Sequence, residues 1–278
     1  MAEKVEVAQV PFMRVGEVAI HYRLCGNASR QPVVVAINSL GTDFRIWETV
    51  AEELAPHAAF LLYDKRGHGL SDLGALPQSI EDHAGDLERL LGALGIARVL
   101  LCGLSVGGLI ALALHQRRPD LVAGVVFCDT AHRIGTAESW DARIAAVDAE
   151  GLAPLLDPVM ERWFTPAYRV AENADYAGYR NMLARQSPQG YAATCAAIRD
   201  ADYTQAARAI TVPALCLVGD RDGATPPDVV RSLANLIPEA GFAVIADCGH
   251  LPCIEQPAAL ASHIRAFLAA LTEGSSYV

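Results

Sequence analysis

The chain has no apolar run approaching the roughly 20 residues that span a bilayer. It also lacks a CxxC pair and any Cys/His spacing suited to a metal site. Its opening, MAEKVEVAQVPF, alternates charged and apolar residues and so lacks the continuous apolar core of a secretory signal. A cytoplasmic protein is expected. Basic stripes are missing as well: 22 Lys and Arg stand against 32 Asp and Glu, a formal charge of −10, which speaks against a nucleic-acid partner. An anionic ligand must therefore be caught by a local cation rather than by the overall field. No glycine-rich loop sits in a dinucleotide or P-loop context, so neither cofactor nor metal is expected. The seven cysteines are scattered and odd in number, which suits buried reduced thiols. Cys102, Cys128 and Cys216 lie in apolar surroundings, whereas Cys248 and Cys253 stand apart because they flank His250. Oligomeric state is not legible.

What is present is an ordered globular composition, 52% apolar and 19% charged over 278 residues, enough for a substantial core. FMRV and VAIHYRL around Gly16-Glu17 read as a hairpin. From residue 32 to about 130, short β-branched runs (PVVVAIN, AAFLLYD, RVLLCG, VAGVVFCDT) alternate with helical patterns. SIEDHAGDLERLLGALG opens on Ser79 and Asp82 in capping positions and closes at Gly95. VGGLIALALHQRR is a buried helix stopped by Pro119. Between about 132 and 207 the strand signal disappears, and it resumes at VPALCLVGD, followed by a helix over Pro227 to Ile237, GFAVIADCG and a final amphipathic helix. The fold class expected is α/β: a mostly parallel, doubly wound central sheet flanked by helices. Residues 1–131 and 208–278 would form the core, with a helical cap inserted over 132–207.

One strand-to-helix junction reads CGLSVGG. A strand, then Gly-Leu-Ser-Val-Gly, then a helix is the context of a nucleophile elbow, in which a sharp turn presents the serine at the carboxyl end of the sheet. Ser105 is the candidate nucleophile, and the Val106 amide, at a helix N-terminus, is placed to meet developing negative charge. Such a serine needs an acid and then a base after later strands. VGDRDGATPP offers Asp222, with Asp220 as the alternative, and ADCGHLP offers His250 in a loop. A second oxyanion amide is expected from NSLGTD after the VVVAI strand, with Leu40 as donor. There the Asn38 and Ser39 side chains either reach a ligand or brace a polar turn. His21, His57, His83, His115 and His263 read as packing or surface residues. His68 and His132 lie nearer the site, with contact to a ligand the lesser reading for each.

Taken together, NSLGTDFRIWE, YDKRGHGLSD, CGLSVGG, DTAHRIGTAESWDARI, RWFTPAY, GYAATCAAIRDAD and GDRDGATPP resemble the 3-oxoadipate enol-lactonases of the alpha/beta-hydrolase superfamily. The two segments in the cap, RIGTAESWDARI and GYAATCAAIRDAD, carry the substrate information; the elbow and acid loop are shared more widely. Val106 stands where that branch has methionine, and CGHLPCIEQP where a form like AAHLSNIEQP is usual. The resemblance implies a small anionic lactone as substrate, opened through an acyl-enzyme. Its acetate arm needs a cation, for which Arg133 at the entrance to the cap is the first candidate, stacked on Trp140. Carboxylesterases share the triad, and a butenolide-type receptor with vestigial hydrolysis is the alternative from another class.

Overall fold

The computed structural model describes residues 11–274; the MAEKVEVAQV opening lies outside them. Eight strands form one sheet in the order β1-β2-β4-β3-β5-β6-β7-β8. They are β1 Phe12–Val15, β2 Val18–Cys25, β3 Val33–Ile37, β4 Ala59–Tyr63, β5 Val99–Leu104, β6 Val122–Cys128, β7 Ala214–Gly219 and β8 Gly241–Ile245. β1 and β2 form the expected hairpin and β2 pairs antiparallel with β4, while every later pairing is parallel. Every residue of β3, β4 and β5 is buried, as their unbroken apolar runs require of central strands covered on both faces.

The helices are α1 Glu48–Leu54, α2 Ile80–Ala93, α3 Val106–Arg117, α4 Ala137–Glu150, α5 Leu156–Trp163, α6 Ala174–Ala184, α7 Pro188–Arg199, α8 Thr204–Arg208, α9 Pro227–Ala234, α10 Pro252–Glu255 and α11 Pro257–Gly274. α2 packs on α3, and α1 on α11. α2 starts where expected, with Ser79 and Asp82 capping each other's backbone amides. α9 stops three residues short of the expected Ile237. The stretch without strands holds α4 to α7, with α4 packed on α7 and α5 on α6. α8, on its boundary, packs against α3 and so sits with the sheet-flanking helices. No helix among the described residues is long and apolar enough to cross a membrane.

Parallel strands all end at one edge of the sheet, so the loops after β3, β4, β5, β6 and β7 gather there. Unusual backbone geometry occurs at that edge. Ser105 after β5 and Asp129 after β6 both have positive φ, 56° and 46°.

Candidate active site

Ser105 holds φ 56° and ψ −119°, a conformation that costs a non-glycine residue about 1–3 kcal/mol and persists only where its surroundings enforce it. Here the enforcement is visible. The Ser105 amide donates to Cys128 O at 3.0 Å, and its carbonyl accepts from Thr130 Oγ1 at 2.6 Å and from the Gly108 amide at 2.8 Å. The two glycines of the motif serve close approach. A Cβ on Gly103 would lie 2.4 Å from Gly107 O, and one on Gly107 would lie 2.3 Å from Ile37 O, at the end of β3. The elbow is thus wedged against the strand that feeds the 38–42 loop.

His250 and Asp222 meet as expected, with His250 Nδ1 2.9 Å from Asp222 Oδ2 and both side chains buried. Asp222 accepts three further bonds: from the Ala224 amide at 2.7 Å, the Thr225 amide at 3.0 Å and Thr225 Oγ1 at 2.7 Å. Burial pushes the Asp222 carboxyl up, but His250 and these donors outweigh it and hold it below its ordinary value. An ionised Asp222 makes Nδ1 the protonated nitrogen, which leaves Nε2 as the basic one. The alternative acid, Asp220, accepts from the Cys248 amide at 3.0 Å and so braces the histidine loop.

Sequence reasoning passed over a second carboxyl. Asp129 is fully buried, with Oδ1 accepting the Gly219 amide at 2.9 Å and Oδ2 without a hydrogen-bond partner. Burial and the facing Asp222 charge raise it well above the usual carboxylate range, favouring the neutral acid. Asp129, Asp222 and His250 have ligand-type atoms within 4.8 Å of one another. Asp222 is already saturated by four donors, so the arrangement is that of a hydrogen-bonded histidine support and not of a cation cage. Cys248 and Cys253 are both buried with thiols pushed far up by desolvation, which makes them inert packing beside His250.

Ser105 and His250 open into a cavity of about 440 Å³, which Ser39, Leu40, Trp140, Arg143, Arg162, Trp163 and Tyr191 also line. Val106 is buried at the start of α3. Ser39 and Leu40 line the cavity. Asn38 does not line it and takes the bracing role instead, its Nδ2 donating to Thr42 O at 2.9 Å.

The arm-binding expectation needs correction at one residue. Arg133 is exposed and does not line the cavity. The reason is local: Trp140 Nε1 donates to Ile134 O at 2.7 Å, which fastens the turn with Ile134 buried and facing the cavity, and its neighbour turns outward. The cations at the cavity are Arg143 and Arg162. Arg143 lies 4.9 Å over the Trp140 ring and 3.5 Å from Tyr191 Oη. Burial and the like charge of Arg143 lower the Arg162 guanidinium from its ordinary value. Among the described residues neither has a carboxylate at ion-pair distance. The helical spacing of Arg143 to Trp140, three residues apart on α4, was the available signal.

α5 runs directly into the loops that carry Asp222 and His250. The Gly223 amide donates to Arg162 O at 3.3 Å and the His250 amide to Trp163 O at 2.8 Å. Glu255 accepts from Thr165 through its amide and hydroxyl, and from the Gly249 amide at 2.9 Å.

Comparison with known proteins identifies the family to which the chain belongs. Residues 32–257 match the family model described as alpha/beta hydrolase fold. The chain is 31% identical to 3-oxoadipate enol-lactonase 2 of Acinetobacter baylyi over 91% of its own length and 94% of the relative. It is 33% identical to 3-oxoadipate enol-lactonase 1 of the same organism, over 81% and 84%. The crystal structure of the enol-lactonase from Burkholderia xenovorans LB400 superposes with a TM-score of 0.90 at 38% identity, covering 93% of this chain and all of that one.

Proposed function

From the premise that this chain belongs to the alpha/beta hydrolase fold family and is an ester or lactone hydrolase, we propose that it opens 3-oxoadipate enol-lactone to 3-oxoadipate, using Ser105, His250 and Asp222 as its triad. The observation that carries the substrate is the pair of arginines, Arg143 and Arg162, facing the same cavity as Ser105. A neutral ester needs no such pair; a lactone bearing a carboxylate arm does.

Ser105 Oγ attacks the ring carbonyl while His250 Nε2 takes its proton, and Asp222 stabilises the imidazolium. The amides of Leu40 and Val106 hold the oxyanion. Collapse of the tetrahedral intermediate breaks the ring C–O bond and expels an enolate, a weaker base than an alkoxide. It takes the proton from His250 and becomes the ketone, still tethered through the acyl group. Water, activated by the now neutral His250, then attacks the acyl carbon, and release of Ser105 gives the free carboxylate. Helices α4 to α7 act as the cap over this cavity, with Arg143 and Arg162 clamping the acetate arm and Trp140 stacked beneath Arg143.

Steady-state hydrolysis of the enol-lactone, followed by its ultraviolet absorbance in wild type and Ser105→Ala, tests the reading. Multiple turnover that Ser105→Ala abolishes is the expected result. Cleavage of simple esters without turnover of the lactone would leave the hydrolase and remove the substrate. A single turnover would favour the receptor alternative.

A further inference from the structure

The Leu40 amide belongs to the same peptide unit as the Ser39 carbonyl, and that carbonyl is where the chain places a buried cation. Lys65 is 1% exposed, and its Nζ donates to Ser39 O at 2.6 Å. The register explains the meeting: three residues beyond the Ala36–Leu62 pairing of parallel β3 and β4 stand Ser39 and Lys65. Thr42 Oγ1 donates to the same carbonyl at 3.0 Å, so Ser39 O is held even without the lysine. On the other side, the Gly41 amide donates to His68 Nε2 at 3.0 Å. That bond requires a neutral imidazole with its proton on Nδ1, which faces Arg66 O at 3.3 Å. Burial first, and Lys65 second, keep His68 neutral.

The carboxylates nearest the lysine are committed elsewhere. Asp64 bonds His21 Nδ1 and the Phe44 and Leu70 amides, and Asp43 is paired with Arg45. No carboxylate lies at ion-pair distance from Nζ among the described residues. An ammonium buried on a backbone carbonyl that already has a neutral donor is a costly way to brace a turn.

We propose that Lys65 is a positioning residue of the oxyanion hole: its ammonium polarises the Ser39–Leu40 peptide through the carbonyl and thereby strengthens the Leu40 N–H as a donor to the developing oxyanion. Hydrogen bonds in series reinforce one another across a peptide unit, and a charged donor does so more than a neutral one. The inference rests on Ser105 as nucleophile and Leu40 as donor.

Burial brings the Lys65 amine down to about 7, with Asp64 and Asp43 pulling the other way. His68 and His83, the titratable groups whose own protonation Lys65 opposes, are both held neutral by burial. The ammonium is therefore populated below about pH 7 and lost above it, so its contribution fades as pH rises.

The test measures kcat and KM for p-nitrophenyl acetate from pH 5.5 to 9 in wild type, Lys65→Met and Ser105→Ala, and phenylboronic acid affinity at pH 6. Deleting a whole oxyanion donor costs about 10²–10³ in kcat. Removing only its polarisation is expected to lower kcat about tenfold at pH 6 with KM unchanged, and to weaken the tetrahedral boronate adduct by the same factor. The gap between wild type and Lys65→Met closes above about pH 7. An equal deficit at pH 6 and pH 9, or no deficit, overturns the proposal. If Lys65→Met does not fold, the wild-type profile decides: kcat sags from pH 7 toward 9 if the ammonium contributes, and a level rate overturns it. An active Ser105→Ala would sink the reading of the site itself; an inert Ser105→Ala beside an unimpaired Lys65→Met removes only the lysine's role.

Discussion

Arg143 and Arg162 sit on the cavity and Arg133 does not, so the three arginines separate charge at the site from charge on the chain. A charge-assisted bond to a carboxylate is worth about 1.5–3 kcal/mol, or at least tenfold in binding. Arg143→Met and Arg162→Met are each expected to raise KM for the enol-lactone about tenfold or more, with p-nitrophenyl acetate hydrolysis little changed. Arg133→Met should leave both substrates alone. An equal loss on the neutral ester would show that the arginines support the cap and not the arm. The proposed triad, Ser105, Asp222 and His250, was legible because glycines and strand ends announce its members from either side. Arg133 was the wrong choice because which way a residue of the 132–135 turn faces depends on Trp140 reaching back to Ile134 O, a contact no spacing rule predicts, whereas Arg143 stands one helical turn from Trp140 and could have been found by that spacing. Lys65 and His68 were hidden for another reason: they bond the backbone of the loop that follows β3, so their partners are more than twenty positions away.

At the scale of elements, the junction of β5 and α3 is packed against the end of β3 with no room for a methyl group. Gly107→Ala would drive a Cβ to 2.3 Å from Ile37 O. Relief must come from displacing the strand end or the helix, at about 1–3 kcal/mol. Either movement shifts the Val106 amide relative to that of Leu40, so kcat should fall by far more than the drop in thermal stability suggests. A variant with wild-type kcat and lowered Tm would show that the elbow and the 38–42 loop are mechanically independent. The alternation of strand and helix was readable almost to the residue, since β3, β4 and β5 are buried throughout and admit only apolar side chains. The early end of α9 at Ala234 was not, because helix ends depend on local caps more than on periodicity.

At the scale of the molecule, the helical segment and the loops that carry Asp222 and His250 are joined at Glu255, Trp163 O and Arg162 O. Glu255→Ala removes the acceptor shared by Thr165 and Gly249, leaving buried donors unpaired at about 1–3 kcal/mol. Hydrogen exchange is expected to quicken together at residues 163–165 and 248–250; faster exchange in only one of them would show that the two move separately. The strands of the sheet and the run of helices between β6 and β7 were anticipated from patterning, whereas the bonds made at Arg162, Trp163 and Thr165 reach residues about 60 to 90 positions away and leave no local trace.

The same fastenings bear on how such a protein could acquire a new substrate. A helical insertion is often pictured as an interchangeable part, to be traded while the hydrolytic machinery stays as it is. Here the backbone of the helical segment holds the proposed general base in place through the His250 amide. A chimera carrying a foreign insertion would inherit a foreign histidine position, and should lose hydrolysis of every ester before it gains a preference for any. Variation in specificity is thereby channelled into side chains on α4 and α5, which can change one at a time without loosening the histidine loop.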